Sequence, residues 1–156
     1  MNNTPPALRL EKITSENVGA ACDVRVRPSQ ERFVASVERS LAEAYAAPDG
    51  NAWPRLVRDG HEVVAFVMAG FAPDAEIDAF RCGVWRLNVS AEHQGRGYGR
   101  FAVDAVAEEA RRRGRRRLTV LWVPGGEGPE DFYLNLGFRP TGDVLDGQVV
   151  GELLLG

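Results

Sequence analysis

The alternation of apolar and polar side chains in Leu8-Arg9-Leu10-Glu11-Lys12-Ile13 predicts an opening strand with one buried face. Thr14 to Asn17 offers a helix start, and a helix from about Glu16 to Arg25 is expected to stop before Pro28. Ser29 is read as the cap of a second helix. In that helix Phe33, Val34, Val37, Leu41, Ala44 and Tyr45 recur at steps of three and four along one face. Pro48-Asp49-Gly50-Asn51 ends it. Two strands then run over 53–58 and 62–71, joined by an Asp59-Gly60 hairpin expected to form a type I′ turn. The unbroken apolar run Val63 to Met68 marks the second of them as central. After an acidic turn comes a strand over 80–89, then a helix over 97–113 with Val103, Val106, Ala107 and Ala110 as its buried stripe. Glu108–Arg112 and Glu109–Arg113 are spaced as helical ion pairs. A strand over 117–123 follows, then a short helix with Pro129 in its first turn and Gly137 just past its end. Strands over 138–141 and 149–155 close the chain. The order β-α-α-β-β-β-α-β-α-β-β predicts a mixed α/β fold with helices on both faces of one sheet.

With 156 residues the chain reads as a single domain spanning residues 1–156. Its 44% hydrophobic and 26% charged content is that of a globular protein. No apolar run approaches the ~18 residues of a membrane span, and Met1 to Leu10 lacks the apolar stretch of a signal peptide. Cys22 and Cys82 are too few and too separated for a disulfide framework or metal cluster, so both are expected as reduced thiols in a cytoplasmic protein. His61 falls in the predicted hairpin turn, and with His93 it makes no metal set, so no metal is expected. Arg111 to Arg117 holds six arginines in seven residues, but the net charge is −3. Cations suit a helix C-terminus, and no nucleic-acid partner is expected.

Chemistry concentrates in Leu87-Asn88-Val89-Ser90-Ala91-Glu92-His93-Gln94-Gly95-Arg96-Gly97-Tyr98-Gly99-Arg100, where a strand gives way to a glycine-rich loop and a helix start. Glycines at alternate positions let a backbone approach a bulky anion, and the N–H groups of a new helix can bind phosphate. The spacing is not that of the dinucleotide fingerprint, whose third glycine comes one residue later, nor of the Walker loop, which needs Gly-Lys-Ser/Thr. Gln94-Gly95-Arg96-Gly97-Tyr98-Gly99 resembles the Gln/Arg-x-x-Gly-x-Gly/Ala signature of the GNAT superfamily of N-acetyltransferases. Leu87-x-Val89 is similar to that superfamily's fourth strand, and Phe132-Tyr133-Leu134-Asn135-Leu136-Gly137-Phe138 to its Phe-Tyr-x-x-x-Gly-Phe motif.

The resemblance, over roughly Leu8 to Leu155, implies a mostly antiparallel sheet of about seven strands flanked by about four helices, with acetyl-CoA as cosubstrate. It assigns the pyrophosphate to backbone N–H groups of Gln94, Gly95, Arg96, Gly97, Tyr98, Gly99 and Arg100. It lays the pantetheine arm along Leu87, Asn88 and Val89, with the Val89 amide as a candidate oxyanion donor. Tyr133 matches the general acid that protonates the departing thiolate, and its other reading is packing alone. Many relatives carry an asparagine after the fifth strand, where Val123 to Gly128 has none.

An alkylamine with a pKa of ~10.4 arrives charged and must lose a proton. Glu76, Asp78 and Glu92 are candidate bases. Phe33 to Ser36, Ser40 to Ala44 and Trp85 to Leu87 resemble the bacterial diamine and polyamine N-acetyltransferases. That resemblance implies a small diamine or polyamine acceptor. Glu31, Glu38, Glu43, Asp74, Glu76 and Asp78 are the carboxylates available to hold it, and Glu38, Glu43, Glu76 and Asp78 are the ones expected to do so. An antibiotic of the aminoglycoside kind, an amino acid or a protein amine are alternative acceptors. A non-catalytic acyl-CoA-binding module is the alternative class, and a homodimer is possible by analogy.

Overall fold

The computed structural model describes residues 7–156, so the first six residues of the Met1–Leu10 stretch lie outside it. Among the described residues there are seven strands: β1 (Leu8–Lys12), β2 (Ala52–Asp59), β3 (Glu62–Phe71), β4 (Cys82–Val89), β5 (Arg117–Trp122), β6 (Arg139–Leu145) and β7 (Gln148–Leu154). The helices are α1 (Val18–Cys22), α2 (Val37–Ala46), α3 (Tyr98–Arg112) and α4 (Glu130–Asn135). The strands form one sheet in the order β1-β2-β3-β4-β5-β7-β6. Only β4 and β5 run parallel; every other pair is antiparallel.

The unbroken apolar run does take the middle of the sheet's N-terminal half. Val64 to Ala69 of β3 are fully buried, because β2 and β4 cover both edges and helices cover both faces. Each large side chain buried there contributes about 1.5–3 kcal/mol. On one face α3 sets Ala102, Val103, Val106, Ala107 and Ala110 against Val57, Val67, Val84 and Leu118. On the other, Ala21, Val24 and Val37 close over Leu56, Phe66 and Met68.

Local chemistry shifted several expected boundaries. α1 is a single short turn, because Asn17 turns inward instead of capping. Its side-chain nitrogen donates to the Lys12 carbonyl at 2.8 Å, and its oxygen accepts from the Thr14 amide at 2.7 Å. The second helix starts seven residues later than expected, with Ser36 as its cap, its hydroxyl accepting from the Arg39 amide at 3.1 Å. Residues 28–36 form a 3₁₀ turn (Pro28–Gln30) and an irregular stretch, so Phe33 and Val34 leave the helix and Tyr45 is 94% exposed. Tertiary hydrogen bonds draw that stretch away from helix: the Asn88 side chain donates to the Ala35 carbonyl at 3.0 Å, and Gln30 pairs with Gln94.

At the β2–β3 hairpin only Gly60 has positive φ (62°), so the turn is not type I′, which needs positive φ at both central residues. That geometry occurs instead at Asp146 (49°) and Gly147 (76°), between β6 and β7. It extends β6 to Leu145, four residues beyond the expected end. On α3, Glu108 pairs with Arg111 rather than Arg112, while Glu109 binds both Arg112 and Arg113.

Candidate active site

β4 and β5 touch at two pairs only, Gly83 with Thr119 and Val84 with Val120. Gly83 is needed there, since a Cβ would lie 2.5 Å from the Thr119 hydroxyl and 2.7 Å from its carbonyl. Beyond that point the strands splay, and a cavity of roughly 1160 Å³ opens between them. The volume suits a large cofactor-sized ligand together with a second small molecule. β4 also carries a bulge: Ala69 opposes Val84 and Met68 opposes Arg86, leaving Trp85 as the extra residue. A bulge re-aims side chains locally. Leu87 and Val89 pack on the α3-side core, while Arg86 and Asn88 reach the α2 side, to Glu43 and Ala35.

The loop after β4 forms one end of the cavity. Gly95 (φ 78°) and Gly97 (φ 86°) are left-handed, and a Cβ on either would point into open space. Gly97 is also the N-cap of α3, which has no side-chain cap and no acidic residue in its first turn. The first amides of α3 and the positive end of its dipole are therefore free. Gly99 has a different task. A Cβ there would come within 2.9 Å of Phe132, so this glycine lets α3 and α4 approach. Gln94 braces the loop, its side-chain nitrogen donating to the Val89 carbonyl at 3.0 Å and to Gln30 at 2.7 Å.

Tyr133, on α4, lies on the cavity wall. Its ring stacks on Trp122 at a centroid distance of 5.9 Å and meets Phe132 and Phe138 edge-on. Its hydroxyl makes no hydrogen bond among the described residues, and burial pushes its pKa well above the usual tyrosine value. The phenol is thus a neutral donor without a protein partner.

Of the residues singled out from sequence, Leu87, Val89, Gln94, Gly95, Gly97, Tyr98, Gly99, Arg100 and Tyr133 line this one cavity. Asn88 does not: it is buried on the opposite side of the strand and ties β4 to Ala35. Arg96 sits beside the Tyr98 hydroxyl instead, and that hydroxyl donates to Asp59. The four expected acceptor carboxylates and the candidate base Glu92 also lie off the wall. Glu38 pairs with Arg25, and Glu43 with Arg39 and Arg86; Asp78 pairs with Arg81 and Arg117, and Glu76 is exposed. The wall's carboxylates are Glu31 and Glu127, the latter paired with Arg32. Sequence reading singled out neither Phe80 nor Gln30 on the wall, and quoted Arg86 and Asn135 there only within matched motifs, with no role. Arg86 left one signal, a charge set between Trp85 and Leu87 in a strand otherwise destined for the interior. No asparagine stands between β5 and α4; Asn135, the last residue of α4, lines the cavity.

Arg111, Arg112, Arg113 and Arg117 of the arginine run are spent on ion pairs with Glu108, Glu109, Asp78 and Glu152. Cys22 and Cys82 are both free thiols whose pKa burial raises. Among the described residues no helix is long and apolar enough to cross a membrane.

This architecture is shared with solved acetyltransferases. The GNAT domain of S. lividans PAT superposes with a TM-score of 0.75 at 20% identity, over 95% of this chain and 90% of that one. An N-acetyltransferase of Thermoplasma acidophilum, solved in complex with coenzyme A, gives 0.71 at 14% identity over 94% and 98%. Rat N-acetyltransferase 8F1 is 28% identical over 102 residues, which are 65% of this chain but only 45% of the rat protein. The family model described as acetyltransferase (GNAT) matches residues 18–138, a span that holds the splayed strands, the glycine loop and Tyr133 alike, and the chain belongs to that family.

Proposed function

We propose that the protein transfers the acetyl group of acetyl-CoA to a primary amine, with Tyr133 as general acid. One observation carries this reading: the left-handed glycine turn feeding the uncapped start of α3 and the unpartnered Tyr133 hydroxyl face the same cavity. The pyrophosphate fits the first element, because Gly95 and Gly97 present backbone with no Cβ in the way. Leu87 and Val89 edge the gap beside β5, where a pantetheine arm can run along a strand without a neighbour. Acetyl-CoA brings the activated carbonyl, and the chain orients it and manages protons.

The amine nitrogen attacks the thioester carbonyl and the C–S bond breaks. The thiolate takes a proton from Tyr133, and the proton lost by the amine restores the phenol. Burial makes Tyr133 a weak acid. The same dry surroundings raise the basicity of a thiolate formed beside it, so the transfer accompanies bond cleavage. The coenzyme A complex of the Thermoplasma protein, which has this fold, and the name of the rat relative support the assignment.

The test is thiol release from acetyl-CoA with the purified chain across amino acids, polyamines and aminoglycosides. Release that depends on an added amine, with the acetylated amine recovered, is expected. Tight coenzyme A binding without turnover on any amine would instead make the protein an acyl-CoA-binding module. The polyamine expectation enters as one arm of the screen. Its support is the sequence likeness at Phe33 to Ala35 and Trp85 to Leu87, all of which line the cavity.

A further inference from the structure

Arg86 is the one arginine that β4 sends to the α2 side of the cavity, and only 18% of its side chain is exposed. A guanidinium has five N–H donors. The protein uses two nitrogens: Nη2 donates to Glu43 at 2.7 Å and Nη1 to the Trp85 carbonyl at 3.2 Å. Nε is buried without a partner. Glu43 does not neutralise Arg86 alone, because its carboxylate also accepts from Arg39 at 2.8 Å. Two arginines share one carboxylate, so the group keeps a net charge of +1. A half-satisfied cation on a cavity wall is costly unless something else completes it.

From this geometry we infer that the acceptor is an amine bearing a carboxylate, as an amino acid does, and that Arg86 binds that carboxylate. This rests on the acetyl-transfer reading above. The residual positive charge repels a polycation and attracts an anion. The planar fork of arginine suits a carboxylate, to which it can give two parallel hydrogen bonds. Arg86 precedes Leu87, on the edge proposed for the pantetheine arm, and successive strand residues face opposite ways. A carboxylate held by Arg86 therefore leaves its amine beside the gap between β4 and β5. Trp85 and Phe80, both partly exposed on the same wall, give the body of the acceptor an apolar surface.

The experiment compares acceptors matched except for charge: a panel of free amino acids beside their carboxamides, with spermidine and an aminoglycoside included. The carboxamide amine is the less basic and so the more available as free base, which makes a preference for the carboxylate diagnostic of binding. Wild-type kcat/KM is expected to favour the best amino acid over its amide by about 10–100-fold, the range of a charge-assisted hydrogen bond. Arg86→Gln is expected to reduce that ratio toward unity, and Arg86→Lys, which keeps the charge but loses the fork, to lower it partway. Amides, spermidine or the aminoglycoside outpacing the amino acids would overturn the inference while leaving acetyl transfer standing. So would a ratio unchanged in a folded Arg86→Gln. Should neither variant fold, the wild-type ratio decides by itself. Absence of transfer to every amine overturns both readings together.

Discussion

The two ends of the cavity are built by different means. At the end proposed for the coenzyme the chemistry lies in backbone: a fourteen-residue segment, Leu87 to Arg100, supplies a strand edge, two left-handed glycines and a bare helix start. At the acceptor end it lies in side chains drawn from distant parts of the chain. Gln30, Phe33 and Phe80 join Arg86, and Glu43 stands behind them on α2. A backbone site tolerates changes of side chain but not of dihedral angle. A side-chain site behaves the other way, and each arginine there can recast which acceptor fits. The contrast teaches that, under the proposed function, cosubstrate and acceptor are specified by separable parts of the sequence.

The largest effect is expected where the two ends meet. Tyr133→Phe keeps the ring that packs on Trp122 and removes only a hydroxyl with no protein partner. Because no hydrogen bond is lost in the free protein, thermal stability and acetyl-CoA affinity should barely move. General acid catalysis contributes ~10²–10⁴-fold, and a thiolate of pKa ~8.5 is a tolerable leaving group unaided, so kcat is expected to fall by about 10²-fold. Steady-state kinetics with saturating acetyl-CoA checks this. A near-normal kcat would reduce Tyr133 to a packing residue and shift the comparison toward a site that works by positioning alone.

The same contrast explains what could be read in the sequence. All seven strands were visible, since alternation or unbroken apolar runs survive in single segments. So was the α3 stripe, because Val103, Val106, Ala107 and Ala110 share a face without outside help. The glycine turn was legible for the same reason: Gly95 and Gly97 lie two residues apart and act through φ. The side-chain wall opposite was not. Ser29 and Ser36 are both chemically able to cap, and only long-range bonds from Gln94 and Asn88 decide that the helix starts at Val37. The carboxylates expected to hold a polycation were chosen by family resemblance and charge, and arginines far away in sequence claim three of the four. The two Asp-Gly turns make the point on a smaller scale. Identical dipeptides take different geometries because Asp59 is paired with Glu62, which makes Gly60 and His61 the central residues of one turn, whereas Asp146 and Gly147 are central in the other.

A smaller effect sharpens the backbone side of the comparison. Gly97→Val puts a β-branched residue at φ 86°, a conformation that costs about 1–3 kcal/mol, although nothing crowds the new Cβ. The loop is expected to relax away from its left-handed turn. Coenzyme A affinity measured by calorimetry should then weaken by about tenfold or more, while the sheet still melts cooperatively. Unchanged affinity would remove this loop as the phosphate site.

The smallest effect concerns the link between the two ends. Gln30 and Gln94 exchange hydrogen bonds through their amides at 3.1 and 2.7 Å, and the same Gln94 nitrogen donates to the Val89 carbonyl. The irregular stretch that walls the acceptor end is thereby fastened to the loop that would hold the pyrophosphate. Gln30→Ala cuts this tie without touching Gly95, Gly97 or Tyr133. A neutral hydrogen bond contributes about 0.5–1.5 kcal/mol, so KM for the acceptor should rise by a factor of about 2–10. Gln94 keeps its bond to Val89, so KM for acetyl-CoA should change less. Equal changes in both constants would mean that Gln30 mainly shapes the coenzyme loop. An acceptor-selective change would mean that the loop positions the wall, and that the two ends, though separately encoded, are set in register by one pair of amides.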